Sequence, residues 1–320
     1  MDESKLKPWQ HDVAVLFLFF TREKQTAAVF EQIKAARPRK LFLYQDGPRA
    51  GRSDDIENIA KCRNIVEDID WDCEVYRMYQ ELNYGCDPSE FISQKWMFSH
   101  VDKGIVLEDD DVPSQSFFPY CKELLDRYEY DTRINIICGM NNIDGFDNGY
   151  SYLFSRYGSI WGWASWKRVV DQWDPEYKWM EDPHLCEMLS KLYKNFDSWL
   201  NVCRSHKASG KEHYESILAG YARTNNTLNI VPCRNLITNI GITTESTHSV
   251  SDICKLPRSI RRVFNMRRHE ISFPLKNPPY VVCDRLFDEK FEKLMVKNRF
   301  VRFFQKVESR LYHLIPFLGK

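Results

Sequence analysis

The sequence predicts an α/β fold with a mostly parallel central sheet flanked by helices. Continuous apolar runs, of which Val13–Phe20 is the first, recur along the first third of the chain. Such runs are typical of strands that are buried on both faces. From residue 13 to about 110 they alternate with segments of helical spacing, and this alternation is typical of βαβ units.

The elements of this region follow in a regular order. The strand "VAVLFLFF" precedes a helix, "EKQTAAVFEQIKAA", which stops before Pro38. The strand "KLFLYQDGP" ends in a turn signal at Asp46, and the helix "SDDIENIAKCRNIVEDI" has Ser53 as its predicted cap. A strand in "CEVYRMY", a helix in "PSEFISQKWMFSHV" and a strand in "GIVLEDD" complete the series. Farther along, "SQSFFPYCKELLDRYEYD" predicts a helix and "INIICGMNN" a strand, and beyond Asp174 the pattern loosens into helices and loops.

Four adjacent carboxylates end the fourth predicted strand, at Glu108, Asp109, Asp110 and Asp111. Like charges this close repel one another, so either a positive group offsets them or they lie in open water. Ligands of parallel sheets bind beyond the carboxyl ends of the strands, and oxygen ligands suit Mg²⁺ or Mn²⁺. The pattern therefore favours a divalent cation site over a solvated acidic loop.

Composition excludes some classes of partner. Lys plus Arg and Asp plus Glu both number 45, so the chain has no excess of positive charge that would indicate nucleic-acid binding.

The ten cysteines include no CxxC pair, the N-terminal residues are too polar for a signal peptide, and no apolar run is long enough to span a membrane. We expect reduced thiols and a cytoplasmic location.

The segments "LEDDDVPSQSFFPYCKELLDRY", "ICGMNN" and "YLFSRYGSIWGWASWKR" together resemble a family of bacterial GT-A-type glycosyltransferases, some of which carry haemolytic-protein-like names. More distantly, the layout is similar to that of the Golgi N-acetylglucosaminyltransferase that begins complex N-glycans. The resemblance spans roughly residues 13–249. It implies a GT-A fold, a Rossmann-like, mostly parallel sheet with a helical C-terminal extension. It also implies an acidic motif that holds Mn²⁺ or Mg²⁺ on the diphosphate of a nucleotide-sugar.

The resemblance implies roles for individual residues. Asp110 corresponds to the direct metal ligand, and His248 to a late histidine that completes the metal site. Asp111 falls where relatives tolerate varied residues. Residues expected to contact the donor are Thr21, Arg22, Asp46, Asn83, Gly85, Glu108, Asp109, Trp161, Gly162 and Trp163.

Two carboxylates compete for the role of catalytic base in an inverting transfer. Glu215, in "HYES", corresponds to an acid that follows an aromatic residue in the bacterial relatives, although Glu and Tyr214 replace the usual Asp and Trp. Asp197, in "FDSW", resembles the arrangement in the Golgi enzyme. Each could also be an ordinary acid on a helix surface.

The preferred interpretation is a metal-dependent glycosyltransferase. It would move a sugar from a nucleoside diphosphate donor, such as a UDP-sugar, to a glycan or lipid-linked acceptor in bacterial surface polysaccharide synthesis. A sugar nucleotidyltransferase is the first alternative, but such enzymes carry a glycine-rich basic loop after the first strand, and "FFTREKQ" has no glycine. A non-enzymatic, Ca²⁺-binding, lectin-like protein is the other.

The domain prediction divides the chain into a catalytic domain, residues 1–250, and a basic amphipathic extension, residues 251–320. Within the first, residues 13–112 would bind the nucleotide-sugar and residues 113–250 the acceptor. Residues Phe300, Phe304, Val307 and Leu311 fall on one face of a predicted C-terminal helix. That face could rest on the inner surface of the cytoplasmic membrane, on the catalytic domain or on a second copy of the chain.

Overall fold

The computed structural model describes residues 8–242 and 262–295. His248 and the apolar face predicted from Phe300 to Leu311 lie outside these ranges. Among the described helices, none has the length and apolarity needed to cross a membrane.

An eight-stranded sheet forms the centre of the molecule, with the strand order β3-β2-β1-β4-β8-β6-β9-β7. The strands of this sheet are β1 (Ala14–Phe19), β2 (Lys40–Gln45), β3 (Glu74–Tyr79), β4 (Lys103–Glu108), β6 (Ile134–Cys138), β7 (Tyr152–Ser155), β8 (Trp163–Trp166) and β9 (Leu228–Pro232). Strands β3, β2, β1 and β4 are parallel, whereas β7 and β8 run opposite to the strands beside them. The predicted α/β fold with a mostly parallel central sheet is confirmed.

Short connections join the parallel strands to the helices that cross over between them. The helices are α1 (Glu23–Ala36), α2 (Ser53–Val66), α3 (Cys86–His100), α4 (Phe117–Arg127), α5 (Lys167–Val170), α6 (Pro183–Leu192), α7 (Phe196–Ser209), α8 (Tyr214–Thr224) and α9 (Arg285–Met295). A 3₁₀ turn spans Lys178–Glu181. The connection from β1 to α1 contains only Phe20, Thr21 and Arg22.

The start of α2 differs from the prediction by one residue. Arg52 is the N-cap and Ser53 is the first helical residue, without a side-chain capping bond. Asp55, in the first turn, instead accepts hydrogen bonds from the backbone N–H and the guanidinium of Arg49. This bidentate pair anchors the helix start in place of a serine cap.

Both faces of the sheet are covered, as the uninterrupted apolar runs require. Val15 and Phe17 of β1 belong to one buried cluster, and Leu16 and Leu18 belong to the other. All four residues are at most 7% exposed. Because successive side chains of a strand point to opposite faces, one apolar run contributes to both layers.

A second, two-stranded sheet continues the chain directly after β4. Its strands are β5 (Asp111–Pro113) and β10 (Ile237–Asn239), which pair antiparallel with Asp111 opposite Asn239. The small sheet brings residues 237–239, which are more than 120 positions away in the sequence, to the acidic cluster.

Candidate functional site

The four consecutive carboxylates occupy three different local environments. Glu108 is the last residue of β4, Asp109 and Asp110 form the turn that follows, and Asp111 begins β5. Asp111 is fully buried and accepts hydrogen bonds from the backbone N–H of Gly162 at 2.8 Å and from Asn239 Nδ2 at 3.1 Å. These two hydrogen bonds fix the start of β5 against Gly162 and Asn239.

Arg22 supplies the positive charge beside the acidic turn in this structure. Its guanidinium forms a bidentate pair with Asp109 and also donates to Asp110 Oδ2 at 3.0 Å. Burial opposes the charge on Arg22, but Asp109 and Asp110 outweigh it and raise the pKa of the guanidinium. The arginine predicted to meet a diphosphate therefore pairs with the carboxylates themselves.

One arginine does not neutralise the whole group. Burial, together with the charges of Asp110 and Asp109, raises the pKa of Glu108 to about 8. Burial also raises the pKa of Asp110, against the opposing effect of Arg22. The phenol of Tyr214, at the start of α8, donates to Glu108 Oε1 at 3.4 Å.

A divalent cation fits this donor set. Asp109 and Asp110 offer carboxylate oxygens at a strand end, which are the ligands that Mg²⁺ and Mn²⁺ prefer. The raised pKa values of Glu108 and Asp110 have repulsion between neighbouring carboxylates as one cause, and a cation would relieve that repulsion.

An open cavity lies beside the carboxylates, at the carboxyl ends of β1, β2 and β4. It is lined by Leu18, Phe19, Phe20, Thr21, Arg22, Tyr44, Asp46, Arg49, Asn83, Gly85, Cys86, Ser89, Glu90, Glu108 and Asp109. Seven of the residues predicted to contact the donor are in this lining: Thr21, Arg22, Asp46, Asn83, Gly85, Glu108 and Asp109.

Asp46 holds the cavity wall together. Its carboxylate accepts hydrogen bonds from the backbone N–H groups of Gly47, Tyr84 and Gly85 at 2.9–3.1 Å. The side chain of Asn83 in turn donates to the carbonyl of Gly47 at 2.8 Å. Burial raises the pKa of Asp46, although these backbone donors lower it. We expected Asp46 to read the nucleotide, but in this structure it ties the β2–α2 loop to the loop before α3.

Trp161 and Trp163 were expected to contact the donor, but the structure places both outside the cavity lining. Trp163 is fully buried in β8, where its ring lies 6.4 Å from Phe98 and 6.5 Å from Tyr214. Trp161 packs against Phe264 with ring centroids 5.0 Å apart. Trp163 lies in β8, which pairs with β4 inside the sheet, so its side chain enters the core.

The local backbone explains why residue 162 is a glycine. Its φ is +62°, and an added Cβ would lie 2.5 Å from Ile237 Cδ1. Glycine permits both the positive φ and the close approach, and this places the Gly162 N–H on Asp111.

The two candidates for the base lie in different places. Glu215 is on the first turn of α8, directly after Tyr214, and its charge contributes to the raised pKa of Glu90 in the cavity lining. Glu215 therefore lies close to a residue of the cavity lining, Glu90. Asp197 is exposed at the start of α7.

Sequence reasoning missed several residues of the site. Glu90 lines the cavity, and burial followed by the charges of Glu108 and Glu215 raises its pKa well above the usual range. Nothing in the sequence distinguishes it from a surface acid on a helix. Asn239 donates to both Asp110 and Asp111, and one asparagine among mostly apolar neighbours gives no local sign of this contact.

Comparisons with known proteins identify no family. No protein-family model and no curated protein matches the chain. Solved structures similar to it include an apo UDP-glucose pyrophosphorylase, with 9% identity, a TM-score of 0.39 and coverage of 72% of this chain and 93% of that chain. A UDP-glucose pyrophosphorylase complexed with UDP-glucose has 8% identity, a TM-score of 0.35 and coverage of 69% and 90%. A 4-diphosphocytidyl-2C-methyl-D-erythritol synthase from Anaerococcus prevotii DSM 20548 has 9% identity, a TM-score of 0.30 and coverage of 49% and 73%. Similarity this low assigns no activity to this chain.

Proposed function

We propose that this chain is a metal-dependent GT-A-type glycosyltransferase that moves a sugar from a nucleoside diphosphate donor, of the UDP-sugar class, to a glycan or lipid-linked acceptor. The observation that carries the proposal is the excess of carboxylates at the end of β4, beside an open cavity. Asp109 and Asp110 share one arginine, and Glu108 and Glu90 add further acid to the same wall. A divalent cation bound among these carboxylates would offset their charge and attract a diphosphate.

Different residues of the cavity would bind the cation, the diphosphate and the nucleoside. Asp109 and Asp110 would hold Mn²⁺ or Mg²⁺, which stabilises negative charge on the diphosphate when it is bound. Arg22 can release the carboxylates and pair with a phosphate, because its guanidinium is charged in either position. Tyr44, Asn83 and the loop fixed by Asp46 provide a wall for the nucleoside.

Glu215 is the proposed base. In an inverting transfer, its carboxylate takes the proton of the acceptor hydroxyl while the acceptor oxygen bonds to the anomeric carbon. The bond from that carbon to the phosphate oxygen breaks, and the nucleoside diphosphate leaves with the bonding electrons. Asp197 remains the alternative base, and the variants described below distinguish the two.

Nucleotidyl transfer is the alternative, and it is the activity class of the proteins named in the structural comparisons. That chemistry needs backbone amides around a triphosphate, which a glycine-rich loop after β1 would provide. The β1–α1 connection, Phe20-Thr21-Arg22, is short and has no glycine. This observation favours glycosyl transfer.

Donor binding and product analysis test the proposal together. We expect calorimetry to detect UDP binding only when Mn²⁺ or Mg²⁺ is present, and Asp110→Asn to weaken it at least about tenfold. The matched control is Asp126→Asn, since Asp126 lies on α4 away from the cavity. Incubation with a panel of UDP-sugars and Mn²⁺ should release UDP. Equal UDP affinity in EDTA would contradict the metal bridge, and UTP formed from a UDP-sugar and pyrophosphate would establish nucleotidyl transfer instead.

A further inference from the structure

A second group of metal-binding side chains lies where α3 and α8 begin. Asp87, in the first turn of α3, meets His213 and Glu215, which flank Tyr214 at the start of α8. One ligand atom from each residue lies within 4.8 Å of the others. Tyr214, which lies between His213 and Glu215 in the sequence, donates to Glu108 and is not a member of this group.

The hydrogen bonds around Ser209 show which ring nitrogen of His213 carries a proton. Ser209 Oγ lies 2.7 Å from the carbonyl of His206, which can only accept, so the single hydroxyl proton of Ser209 is used there. His213 Nε2 is 3.2 Å from the same Oγ, and it must therefore be the donor in that bond. A second donor, the backbone N–H of Lys211, reaches this oxygen at 3.2 Å.

The other ring nitrogen of His213 then faces a carboxylate. Nδ1 lies 3.1 Å from Asp87 Oδ1, and a bare lone pair would repel the carboxylate at that distance. Either a second proton or a metal cation has to lie between them. The ring cannot easily turn away, because His206 stacks on it with centroids 3.8 Å apart and is itself 2.8 Å from Ser216 Oγ through Nδ1.

We propose that Asp87, His213 and Glu215 bind a divalent transition-metal ion of the zinc class, with water as the remaining ligand. One imidazole and two carboxylates form a ligand set that Zn²⁺ uses in proteins, and a histidine ligand usually donates its other N–H to a fixed acceptor, as Nε2 does here to Ser209. Ligand atoms of a tetrahedral Zn²⁺ ion lie about 3.4 Å apart. The 3.1 Å separation in the Asp87–His213 pair is already close to this, and a carboxylate oxygen of Glu215 lies within 4.8 Å of both.

Occupancy of this site has a regulatory consequence, which rests on the proposed function. A bound ion holds Glu215 as a ligand, so its carboxylate no longer accepts a proton from an acceptor hydroxyl. Zn²⁺ should therefore inhibit transfer that Mn²⁺ supports at Asp109 and Asp110.

Metal binding can be measured without a donor or an acceptor, on EDTA-treated, tag-free full-length protein. Co²⁺ serves as the spectroscopic probe and Zn²⁺ as its competitor in calorimetry. We expect one Co²⁺ ion with the intense visible absorption of four-coordinate cobalt, displaced by Zn²⁺. His213→Gln and Asp87→Asn should each weaken Zn²⁺ binding at least about tenfold. The controls are His184→Gln, which alters an exposed histidine on α6, and Asp110→Asn, which alters the other site. Both should retain the cobalt spectrum.

Two results would overturn the proposal. The first is wild-type protein that shows no absorption of four-coordinate cobalt when Co²⁺ is added at pH 7.5, which means that a proton alone joins His213 and Asp87. The second is cobalt absorption that survives in Asp87→Asn and His213→Gln but disappears in Asp110→Asn. Circular dichroism of the metal-free variants checks that each is folded. Because no nucleotide enters this experiment, its outcome is independent of whether the chain transfers sugars.

Discussion

The two halves of the sheet contribute to the site in different ways. From β1 to β4, each parallel strand is followed within four residues by a residue of the cavity lining: Thr21 after β1, Asp46 after β2, Asn83 after β3 and Asp109 after β4. In the second half, Gly162, Tyr214 and Asn239 contact the four carboxylates from the residue before a reversed strand, from a helix and from the small sheet. Parallel βαβ units repeat one geometry, and this alone places the carboxyl ends of their strands at the same edge of the sheet. Residues of the second half reach the same place only through packing.

The largest effect that we expect lies in the second half, at Glu215. Glu215→Gln keeps the shape of the side chain but removes the proton acceptor, so kcat should fall about 100- to 10,000-fold. UDP binding, which depends on the first half, should change less than about twofold. Steady-state kinetics and calorimetry separate the two effects.

Asp197→Asn is the matched control for this prediction, because Asp197 is also an acid near the start of a helix. It should keep the wild-type kcat. If Asp197→Asn abolishes turnover and Glu215→Gln does not, the base assignment moves to Asp197. If UDP binding falls in Glu215→Gln as much as kcat does, the division between the halves is incorrect.

Two glycines test whether the halves differ in rigidity. An alanine Cβ at Gly162 would meet Ile237 in the core at a positive φ, so Gly162→Ala should lower the free energy of unfolding by roughly 2–4 kcal/mol in urea denaturation. At Gly47, the residue after Asp46 of the cavity lining, the Cβ would lie 2.6 Å from the backbone of Leu82. Gly47→Ala should displace that loop and weaken UDP binding severalfold, with a smaller loss of stability. Equal losses of stability would show that the donor wall is as tightly packed as the core.

A smaller, pH-dependent effect is expected at the contact between the halves. His11 is 6% exposed and stacks on Phe118 of α4 at 5.5 Å. Burial lowers the pKa of His11 to about 4, from 6.5 in the unfolded chain. Between these values the unfolded state binds the extra proton, so stability falls as the pH drops from about 6.5 to 4, and His11 has no such effect above that range.

The measurement is the free energy of unfolding at pH 7 and pH 4.5 for wild type and His11→Phe. The histidine should account for a loss of about 2–3 kcal/mol in the wild type that the variant does not show. His100→Phe is the control, because His100 is exposed at the end of α3. Parallel pH profiles for wild type and His11→Phe would show that His11 is not the titrating group.

The amino-acid sequence by itself determined the order of strands and helices through β4 and the position of the acidic cluster. Apolar runs and turn signals are local, and the geometry of βαβ units converts them into a parallel sheet with Asp46, Asn83 and Asp109 at one edge. The tertiary structure alone decided which partners these residues have. Arg22 donates hydrogen bonds to Asp109 and Asp110. Asp46 accepts hydrogen bonds from three backbone N–H groups of the surrounding loops. The placement of Trp163 in the core and of Asp87 beside His213 was likewise beyond local patterns. Such contacts join residues far apart in the chain, and they form only when reversed strands and helix ends pack together.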